Sequence, residues 1–239
     1  MKLNSKRVVV TGGTGRFGLQ LKKVKTNYSV YFPNKTNLNI LKEKSIENYL
    51  KKKKPKFLIH LAGLSRPMST HDKNIRKSID LNIIGTANIV KVCEKLKIKL
   101  IYFSTSYVYP GKKGNYKESD PLYPINNYAW SKLGGECAVR LYKNSLILRV
   151  CMTEYPFIHK KAYTNMYTNF IYHKDLVKIL EKIYNKKGVL NLGGSSKSVY
   201  DFVKKDNPNV KKKKLKLNKK NTLSLKRLMS LQKLKKITR

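Results

Sequence analysis

Short apolar runs recur along the chain, and longer segments with a helical apolar period separate them. Runs such as Val8-Val9-Val10 and Phe57-Leu58-Ile59 are continuously apolar, which is typical of strands buried on both faces of a parallel sheet. On this pattern we predict strands over residues 6–11, 28–32, 57–60, 99–104, 146–150 and 188–192.

The segments between these runs place apolar residues every three or four positions, which indicates amphipathic helices. We predict helices over 15–25, 45–54, 74–97, 123–144 and 175–184, with Asp175 as an N-cap, and a further helix capped by Ser198. The helix over 74–97 has one apolar stripe, which consists of Ile75, Ile79, Ile83, Ala87, Val90 and Cys93. Repeated strand–helix units predict an α/β fold, a doubly wound parallel sheet of the Rossmann type with right-handed crossovers.

The strand–helix alternation divides the chain into three predicted parts. Residues 1–150 form a Rossmann domain, and 151–203 form a short substrate-binding lobe interleaved with the last strand of the sheet. Residues 204–239 form a Lys-rich C-terminal segment, which we expect to be a solvated tail and in part loosely ordered. The Tyr-, Thr- and Asn-rich stretch after Val150 is where we expect substrate contacts.

The chain has 239 residues, of which 41% are hydrophobic, and this is enough apolar surface for a folded core. It also has 53 Lys plus Arg against 13 Asp plus Glu, a net charge of +40. Such a charge suits a polyanionic partner, but AT-rich codon usage explains it better, because only eight of the basic residues are Arg, the residue that nucleic-acid surfaces favour. We prefer codon usage and expect no nucleic-acid partner.

The sequence offers little sign of membrane insertion, disulfides or metal binding. No apolar run reaches 18 residues and the first residues do not resemble a secretory signal, so we expect a cytoplasmic protein without a membrane partner. Cys93, Cys137 and Cys151 are too far apart for a zinc motif and are interpreted as free thiols. The histidines do not have metal-ligand spacing either, so we predict no metal site.

Glycines at positions 12, 15 and 18 directly follow the first predicted strand and open the first predicted helix. In a strand–turn–helix of this kind, Gly12 permits the tight turn, Gly15 lets the backbone approach a diphosphate, and Gly18 lets the helix pack on the strand. Unpaired N–H groups at the helix N-terminus then face the diphosphate. The loop therefore predicts dinucleotide binding.

The second predicted strand indicates which dinucleotide to expect. NAD sites usually have a carboxylate there for the adenosine ribose, whereas this chain has Tyr31-Phe32-Pro33-Asn34-Lys35. Lys35 and Arg16 are suited to a 2′-phosphate, so we moderately prefer NADP over NAD. The alternative is that Lys35 is one more surface lysine.

Candidate catalytic residues follow in chain order. Thr105 lies at the end of the fourth strand, where open α/β sheets bind ligands, and Tyr128 and Lys132 are four positions apart on a predicted helix. An ammonium near a phenol favours the phenolate, so Tyr128 is suited to exchange a proton in a carbinol–ketone interconversion. The Thr105 hydroxyl is suited to bind the reacting oxygen.

In these motifs the chain resembles the extended short-chain dehydrogenase/reductases of the NAD-dependent epimerase/dehydratase family, and within it the dTDP-4-dehydrorhamnose reductases. The matching segments are TGGTGRFG (11–18), HLAG (60–63), NIIGTANIVKVC (82–93), FSTSYVYPG (103–111), YKESDPLYPINNYAWSKLGGE (116–136), NFIYHKDL (169–176) and VLNLGG (189–194).

This resemblance implies a nucleotide-sugar oxidoreductase of carbohydrate biosynthesis, with Thr105, Tyr128 and Lys132 as catalytic residues. Lys132 would also hold the nicotinamide ribose. The implied cofactor-binding residues are Gly12, Thr14, Gly15, Arg16, Phe17, Gly18, Lys35, Ala62, Gly63 and Lys132. Asn82 would support the site, or would serve in helix packing or capping. Helices over 74–97 and 123–144 would form a homodimer interface.

Departures from the family narrow the expected chemistry. Rhamnose-pathway reductases have Asp directly after the catalytic Thr and 4,6-dehydratases have Asp-Glu, whereas this chain has Ser106-Tyr107. Without these carboxylates the leaving hydroxyl of a dehydration has no proton donor, so we expect reduction or epimerisation at C4. A 4-keto sugar reductase is our first hypothesis. A 4-epimerase with tightly bound NAD, and a non-catalytic cofactor-binding or RNA-associated scaffold, remain alternatives.

Overall fold

The computed structural model describes residues 6–216 and 226–238. The strands are β1 (Arg7–Thr11), β2 (Ser29–Tyr31), β3 (Phe57–His60), β4 (Lys99–Thr105), β5 (Ser145–Val150), β6 (Met152–Thr153), β7 (Lys161–Tyr163), β8 (Tyr167–Thr168), β9 (Ile171–Tyr172), β10 (Gly188–Leu192), β11 (Lys197–Ser198) and β12 (Lys211–Lys213). The helices are α1 (Arg16–Lys22), α2 (Glu43–Lys53), α3 (Thr70–Lys73), α4 (Ile75–Ile79), α5 (Gly85–Lys95), α6 (Asn127–Arg140), α7 (His173–Ile183), α8 (Val199–Val203) and α9 (Gln232–Thr238). A π-helical turn (Asp80–Ile84) joins α4 to α5, and a 3₁₀ turn (Ser106–Val108) follows β4.

Six strands form the main sheet in the order β10-β5-β4-β3-β1-β2. Strand β1 pairs in parallel with β2 and β3, and Thr11 lies opposite His60 in the β1–β3 register. Strand β3 pairs in parallel with β4, with His60 opposite Tyr102. The predicted Rossmann-type parallel sheet with flanking helices is confirmed.

The chain divides into two compact units. Unit 1 contains the described residues of 6–104, 131–147 and 186–188, and unit 2 contains those of 105–130, 148–185, 189–216 and 226–238. The core of unit 1 contains fully buried strand residues, such as Leu58 and Leu100, and the buried helix residues Ile46, Leu50 and Ile89. Burial on both sides explains why these strands have continuously apolar sequences.

Unit 2 has its own core, made by short strands and helices after Val150. Its buried residues are Phe157, Ala162, Met166, Val199, Val203, Val210 and Leu215. Strand β12 pairs in parallel with β7, so that Lys211 lies opposite Lys161. Ser198 caps α8 as predicted, and its hydroxyl accepts a hydrogen bond from the Asp201 backbone at 3.0 Å.

The described parts of the Lys-rich C-terminal segment contribute to this unit, which differs from the solvated tail we expected. Val210, Leu215, Met229 and Leu234 are buried. Residues 226–230 add backbone hydrogen bonds, including those that join Tyr116 to Leu228 and to Ser230. Apolar residues spaced between the lysines thus bury part of the segment. Residues 217–225, where loose order was also expected, lie outside the described residues.

Three helices differ from the predicted ones. The π-helical turn interrupts the helix predicted over 74–97. Helix α6 begins at Asn127 rather than at 123, because Pro124 precedes it and the Asn126 side chain accepts a hydrogen bond from the Ala129 backbone at 2.9 Å. Helix α7 begins at His173 after Tyr172, so Asp175 lies in the first turn and is not the N-cap. Within the described ranges, no helix is long and apolar enough to cross a membrane.

Candidate active site

The glycine loop after β1 has the geometry of a tight turn. Gly12 has φ of +71°, and the Gly15 backbone donates a hydrogen bond to the Gly12 carbonyl at 3.0 Å. A Cβ at Gly12 would lie 2.6 Å from the backbone nitrogen of Ala62. The loop and the segment after β3 therefore approach each other more closely than a side chain allows.

Gly15 and Gly18 lie in different surroundings. A Cβ at Gly18 would come within 2.6 Å of the Gly12 carbonyl oxygen, so helix α1 packs directly on the loop. A Cβ at Gly15 would meet only the same oxygen, at 3.2 Å, and would otherwise face open space. Gly18 is thus fixed by packing, whereas Gly15 leaves backbone open to a ligand.

The other predicted cofactor-binding residues lie around this loop and on the neighbouring strands of unit 1. Thr14 and Arg16 are exposed, whereas Phe17 is buried with its ring centroid 5.2 Å from that of Phe103. Lys35 is exposed after β2. Ala62 and Gly63 lie in the segment after β3. The structure therefore gives Phe17 a core position in addition to its place in the loop.

Asn82, in the π-helical turn, joins the segment after β3 to α6. Its side-chain oxygen accepts from the Leu64 backbone at 2.7 Å, and its amide donates to the Leu64 carbonyl at 2.9 Å and to the Ser131 hydroxyl at 2.8 Å. A Cβ at Gly63 would lie 2.6 Å from the Asn82 side-chain oxygen. Of the two roles we considered for Asn82, these contacts favour a support for the residues beside Lys132.

His60, at the end of β3, is a buried and hydrogen-bonded residue. Its ring nitrogens lie 2.8 Å from the Thr11 hydroxyl and 3.1 Å from the Thr86 hydroxyl. Burial, and to a lesser extent the charge of Lys132, lowers the pKa of His60 to about 3. The imidazole is therefore neutral at physiological pH and holds β1, β3 and α5 together.

Lys132 is buried on α6, and its Nζ lies 4.1 Å from the centroid of the Tyr102 ring. Burial lowers the pKa of Lys132 to about 7, against the opposite effect of the Glu136 carboxylate. No ion pair or hydrogen bond engages this Nζ within residues 6–216 and 226–238. The ammonium is therefore held in place by packing while its donors remain available to a ligand.

Glu136 is a residue that our sequence analysis did not assign a role. It is fully buried one turn after Lys132, accepts from the Ser104 hydroxyl at 2.7 Å and pairs with Arg140 at 3.2 Å. Its spacing of four from Lys132 was the available signal, since such residues are neighbours on one helix face. Glu136 partly offsets the cost of burying the Lys132 charge.

Thr105 and Tyr128, the other predicted catalytic residues, belong to unit 2. Thr105 ends β4, is buried, and its hydroxyl accepts from the Tyr107 backbone at 3.3 Å. The half-buried Tyr128 lies in the first turn of α6, and its ring meets that of Tyr107 edge-on with centroids 6.3 Å apart. Tyr107 is thus a common neighbour of both residues.

Metal and redox chemistry have few candidate residues here. Cys93 and Cys151 are buried free thiols, and Cys137 is exposed. In the part of the chain that the structure describes, no three His, Cys, Asp or Glu side chains form a group able to hold a metal ion. The hydroxyls of Thr105 and Tyr128 and the ammonium of Lys132 are groups that can transfer protons or form hydrogen bonds.

Comparison with known families matches most of the chain. The family model described as RmlD substrate binding domain matches residues 6–179. Methionine adenosyltransferase 2 subunit beta of Xenopus laevis is 33% identical over 156 residues, which are 61% of this chain and 46% of that protein. The spore coat polysaccharide biosynthesis protein SpsK of Bacillus subtilis is 31% identical over 147 residues, 60% of this chain and 52% of that protein. The chain thus spans about half the length of the curated relatives it matches.

Solved structures share the fold over nearly the whole chain. The dTDP-4-dehydrorhamnose reductase of Bacillus anthracis in complex with NADP has a TM-score of 0.85 at 23% identity, with 98% of this chain and 92% of that chain covered. The UDP-Glc/GlcNAc 4-epimerase of Campylobacter jejuni has a TM-score of 0.78 at 15% identity, with 98% and 93% covered. At these identities the likeness establishes the architecture of the chain.

Proposed function

Because the chain belongs to the RmlD substrate binding domain family, we propose that it is an NAD(P)-dependent nucleotide-sugar oxidoreductase that reduces a 4-keto sugar at C4. The observation that carries this proposal is the position of Lys132, one turn after Tyr128 on α6. The residue is 9% exposed, and its Nζ is not among the enclosed side-chain nitrogens without a partner, so the ammonium can meet a ligand.

The glycine loop fits the diphosphate of a nicotinamide dinucleotide. Gly15 faces open space, where the backbone can approach the diphosphate, while Gly12 and Gly18 hold the turn against its neighbours. Lys132 offers its ammonium to the nicotinamide ribose. When bound, the cofactor supplies the hydride for the reduction.

The protein's own residues handle the proton. Tyr128 donates its phenolic proton to the sugar oxygen as the ketone becomes a hydroxyl, and the Thr105 hydroxyl hydrogen-bonds the same oxygen. In its protonated form Lys132 stabilises the phenolate that remains on Tyr128. Buried Glu136 favours this form, because its carboxylate raises the pKa of Lys132.

The preferred cofactor is NADP. No carboxylate follows β2, while Lys35 and Arg16 are exposed near the glycine loop, where they suit a 2′-phosphate. The similar reductase of Bacillus anthracis is a complex with NADP, whereas the similar Bordetella bronchiseptica enzyme WbmG is a complex with NAD. Binding of both dinucleotides must therefore be compared directly.

We also propose that the protein is a homodimer. Ile75, Ile79 and Ile84 are all at least 41% exposed, and they lie in consecutive turns of α4 and the π-helical turn. Burial of such apolar side chains against a second copy is favourable.

Two alternatives are kept because particular relatives favour them. The similarity to a UDP-Glc/GlcNAc 4-epimerase supports an epimerase that retains its NAD. The relatives called methionine adenosyltransferase 2 subunit beta support a dinucleotide-binding subunit that works within a larger assembly. In that case turnover would be absent although the cofactor binds.

The deciding experiment incubates the purified chain with NADPH or NADH and a panel of dTDP- and UDP-4-keto-6-deoxyhexoses. Consumption of the reduced cofactor that requires the sugar supports the reductase. Interconversion of UDP-sugars without added cofactor, by protein that already contains NAD, supports the epimerase. Tight cofactor binding without turnover on any sugar rejects both enzymes and favours the subunit.

A further inference from the structure

Arg227 is a buried guanidinium in the C-terminal segment of unit 2. Its side chain is 3% exposed, and one terminal nitrogen, Nη2, donates to the sulfur of Met166 at 2.9 Å. The Nε and the other terminal nitrogen, Nη1, have no hydrogen-bond partner among the described residues. Three of the five N–H donors of an arginine lie on these two nitrogens.

Another buried arginine of unit 2 provides the comparison. Arg149 is fully buried, and its Nη1 donates to the Tyr109 hydroxyl at 2.7 Å and to the Glu118 carbonyl at 3.0 Å. The Tyr109 hydroxyl in turn donates to Asn191 at 2.8 Å. Arg149 thus has the oxygen partners that a buried guanidinium requires, and Arg227 lacks them.

The surroundings of Arg227 do not compensate its charge. The guanidinium carbon lies 4.5 Å from the centroid of the Tyr107 ring, and Met166 provides only a sulfur acceptor. Burial raises the pKa of the Cys151 thiol, and the nearby charge of Arg227 lowers it by less. This thiol therefore stays neutral and gives Arg227 no counter-charge. Among the described residues, no carboxylate forms an ion pair with Arg227. A buried charge without a counter-charge is strongly unfavourable in the protein alone.

We infer that Arg227 binds an oxyanion of the substrate, a phosphate or a carboxylate, through Nε and Nη1. This inference rests on the proposed function and names the residue that would hold an anionic group of the substrate. A guanidinium presents its donors in a planar fork that matches both groups, and such charge-assisted hydrogen bonds are strong.

The position of Arg227 connects it to the proposed chemistry. The Tyr107 ring contacts the guanidinium of Arg227, and its centroid also lies 6.3 Å from that of the Tyr128 ring. The guanidinium carbon of Arg227 therefore lies no farther from the centroid of the Tyr128 ring than these two distances added together. One substrate molecule can present its oxyanion to Arg227 and its reacting oxygen to Tyr128.

Entry of the oxyanion requires a side chain to move, because Nε and Nη1 are closed to water in this structure. Met166 is suited to this movement, since methionine is unbranched and changes rotamer at low cost. The anion would then give Nε and Nη1 the charged oxygen acceptors that they lack in this structure.

The first experiment measures thermal unfolding of the full chain with increasing inorganic phosphate. Arg227→Met removes the charge and keeps an extended apolar side chain, and Lys226→Met removes one exposed charge from the adjacent position as the control. We expect Arg227→Met to unfold at a higher temperature than wild type without phosphate. We expect phosphate to raise the unfolding temperature of wild type and Lys226→Met by several degrees more than that of Arg227→Met. An equal phosphate response in all three proteins overturns the inference.

The second experiment identifies the source of the oxyanion. Binding of UDP and of glucuronate is measured by calorimetry to wild type, Arg227→Met, and Arg227→Lys, which keeps the charge and loses the fork. A loss of tenfold or more in Arg227→Met for UDP alone assigns a phosphate, and such a loss for glucuronate alone assigns a carboxylate. Arg227→Lys should lie between the other two proteins. Unchanged binding of both ligands overturns the inference.

These outcomes are separate from those of the proposed function. Failure of the proposed function appears as absent turnover in wild type, whereas failure of this inference appears as unchanged anion binding in Arg227→Met.

Discussion

Lys132 and Glu136 lie one turn apart on α6, both buried, and the Glu136 carboxylate counteracts part of the burial effect that lowers the pKa of Lys132 to about 7. Tyr128 lies one turn before Lys132 on the same helix. The helix thus places a tyrosine, an ammonium with a low pKa and a buried carboxylate at intervals of four residues. Protonation of Lys132 is therefore adjustable near neutral pH.

Replacement of Lys132 by Met should stabilise the protein at low pH. Below about pH 7 the lysine is charged in both the folded and the unfolded state, so the full cost of burying its charge is present. As the pH rises from 7 toward the ordinary value of 10.5, the folded state loses the proton first and the cost disappears. The gain in Lys132→Met should be on the order of a few kcal/mol at low pH and close to zero at about pH 10.5.

Urea unfolding of wild type and Lys132→Met across this pH range measures how the difference in their stability depends on pH. Lys91→Met is the matched control, because Lys91 is an exposed lysine of unit 1. Lower stability of Lys132→Met than of wild type at about pH 6 would contradict the assigned burial cost.

Tyr128→Phe should abolish most of the reductase activity and leave cofactor binding intact. Loss of the proton donor should lower kcat by about 10²- to 10⁴-fold, the contribution typical of general acid catalysis. Steady-state consumption of NADPH gives kcat, and fluorescence titration gives the cofactor Kd. Tyr123→Phe, which changes an exposed tyrosine of the same unit, should retain wild-type kcat. A kcat within twofold of wild type in Tyr128→Phe would remove Tyr128 from the mechanism.

Alanine should affect different properties at two glycines of the loop, stability at Gly18 and dinucleotide affinity at Gly15. Gly18→Ala places its Cβ 2.6 Å from the Gly12 carbonyl oxygen and should cost about 1–3 kcal/mol of stability, as overpacking does. Gly15→Ala has open space on its other sides, so its stability should change little while dinucleotide affinity falls. Chemical unfolding and cofactor titration of both variants test this. Tight dinucleotide binding by Gly15→Ala would place the diphosphate elsewhere.

Glu136→Gln should move the pH profile of the reaction. Removal of the carboxylate takes away the effect that raises the pKa of Lys132, so this pKa should fall below about 7. The high-pH limb of kcat/KM should therefore shift to lower pH if the protonated lysine is required. Glu94→Gln, which changes an exposed acid of unit 1, should leave the profile in place. An unshifted profile in Glu136→Gln would show that Lys132 does not act as an ammonium.

The proposed dimer should depend on the exposed isoleucines of α4. Light scattering of the wild type should give twice the chain mass of 27.7 kDa, and the double variant Ile75→Glu/Ile79→Glu should give the monomer mass. Leu19→Glu, at an exposed leucine of α1, is the control and should remain dimeric. A wild-type protein that is monomeric at high concentration would refute the proposal.

The strands of the main sheet and the glycine loop were predictable because local sequence determines them. Strand β3 begins at Phe57, where its apolar run begins, and Gly12 has the positive φ that a tight turn requires. These features depend on residues close together in the chain, so composition and spacing reveal them.

The π-helical turn was not predictable in this way. Its five residues, Asp80–Ile84, were treated as part of a continuous helix, which placed Ile75, Ile79 and Cys93 on one stripe. In the structure Cys93 is buried while Ile75 and Ile79 are exposed. A π-helical turn shifts the helical register, so residues before and after it no longer share a face.

Arg227 was also missed, for a different reason. It lies in a segment where lysines dominate, and a basic residue there is usually solvated. Its burial depends on Met166 and Tyr107, which are distant in sequence. Contacts of this kind become visible only when the tertiary structure is known.

Residues 226–230 complete hydrogen bonds to groups made much earlier, at Tyr116, Asn169 and Asn191. During synthesis these buried polar groups lack their partners until residues 226–230 have left the ribosome. A chain without residues 226–230 would leave these groups unpaired, which costs free energy when they are buried.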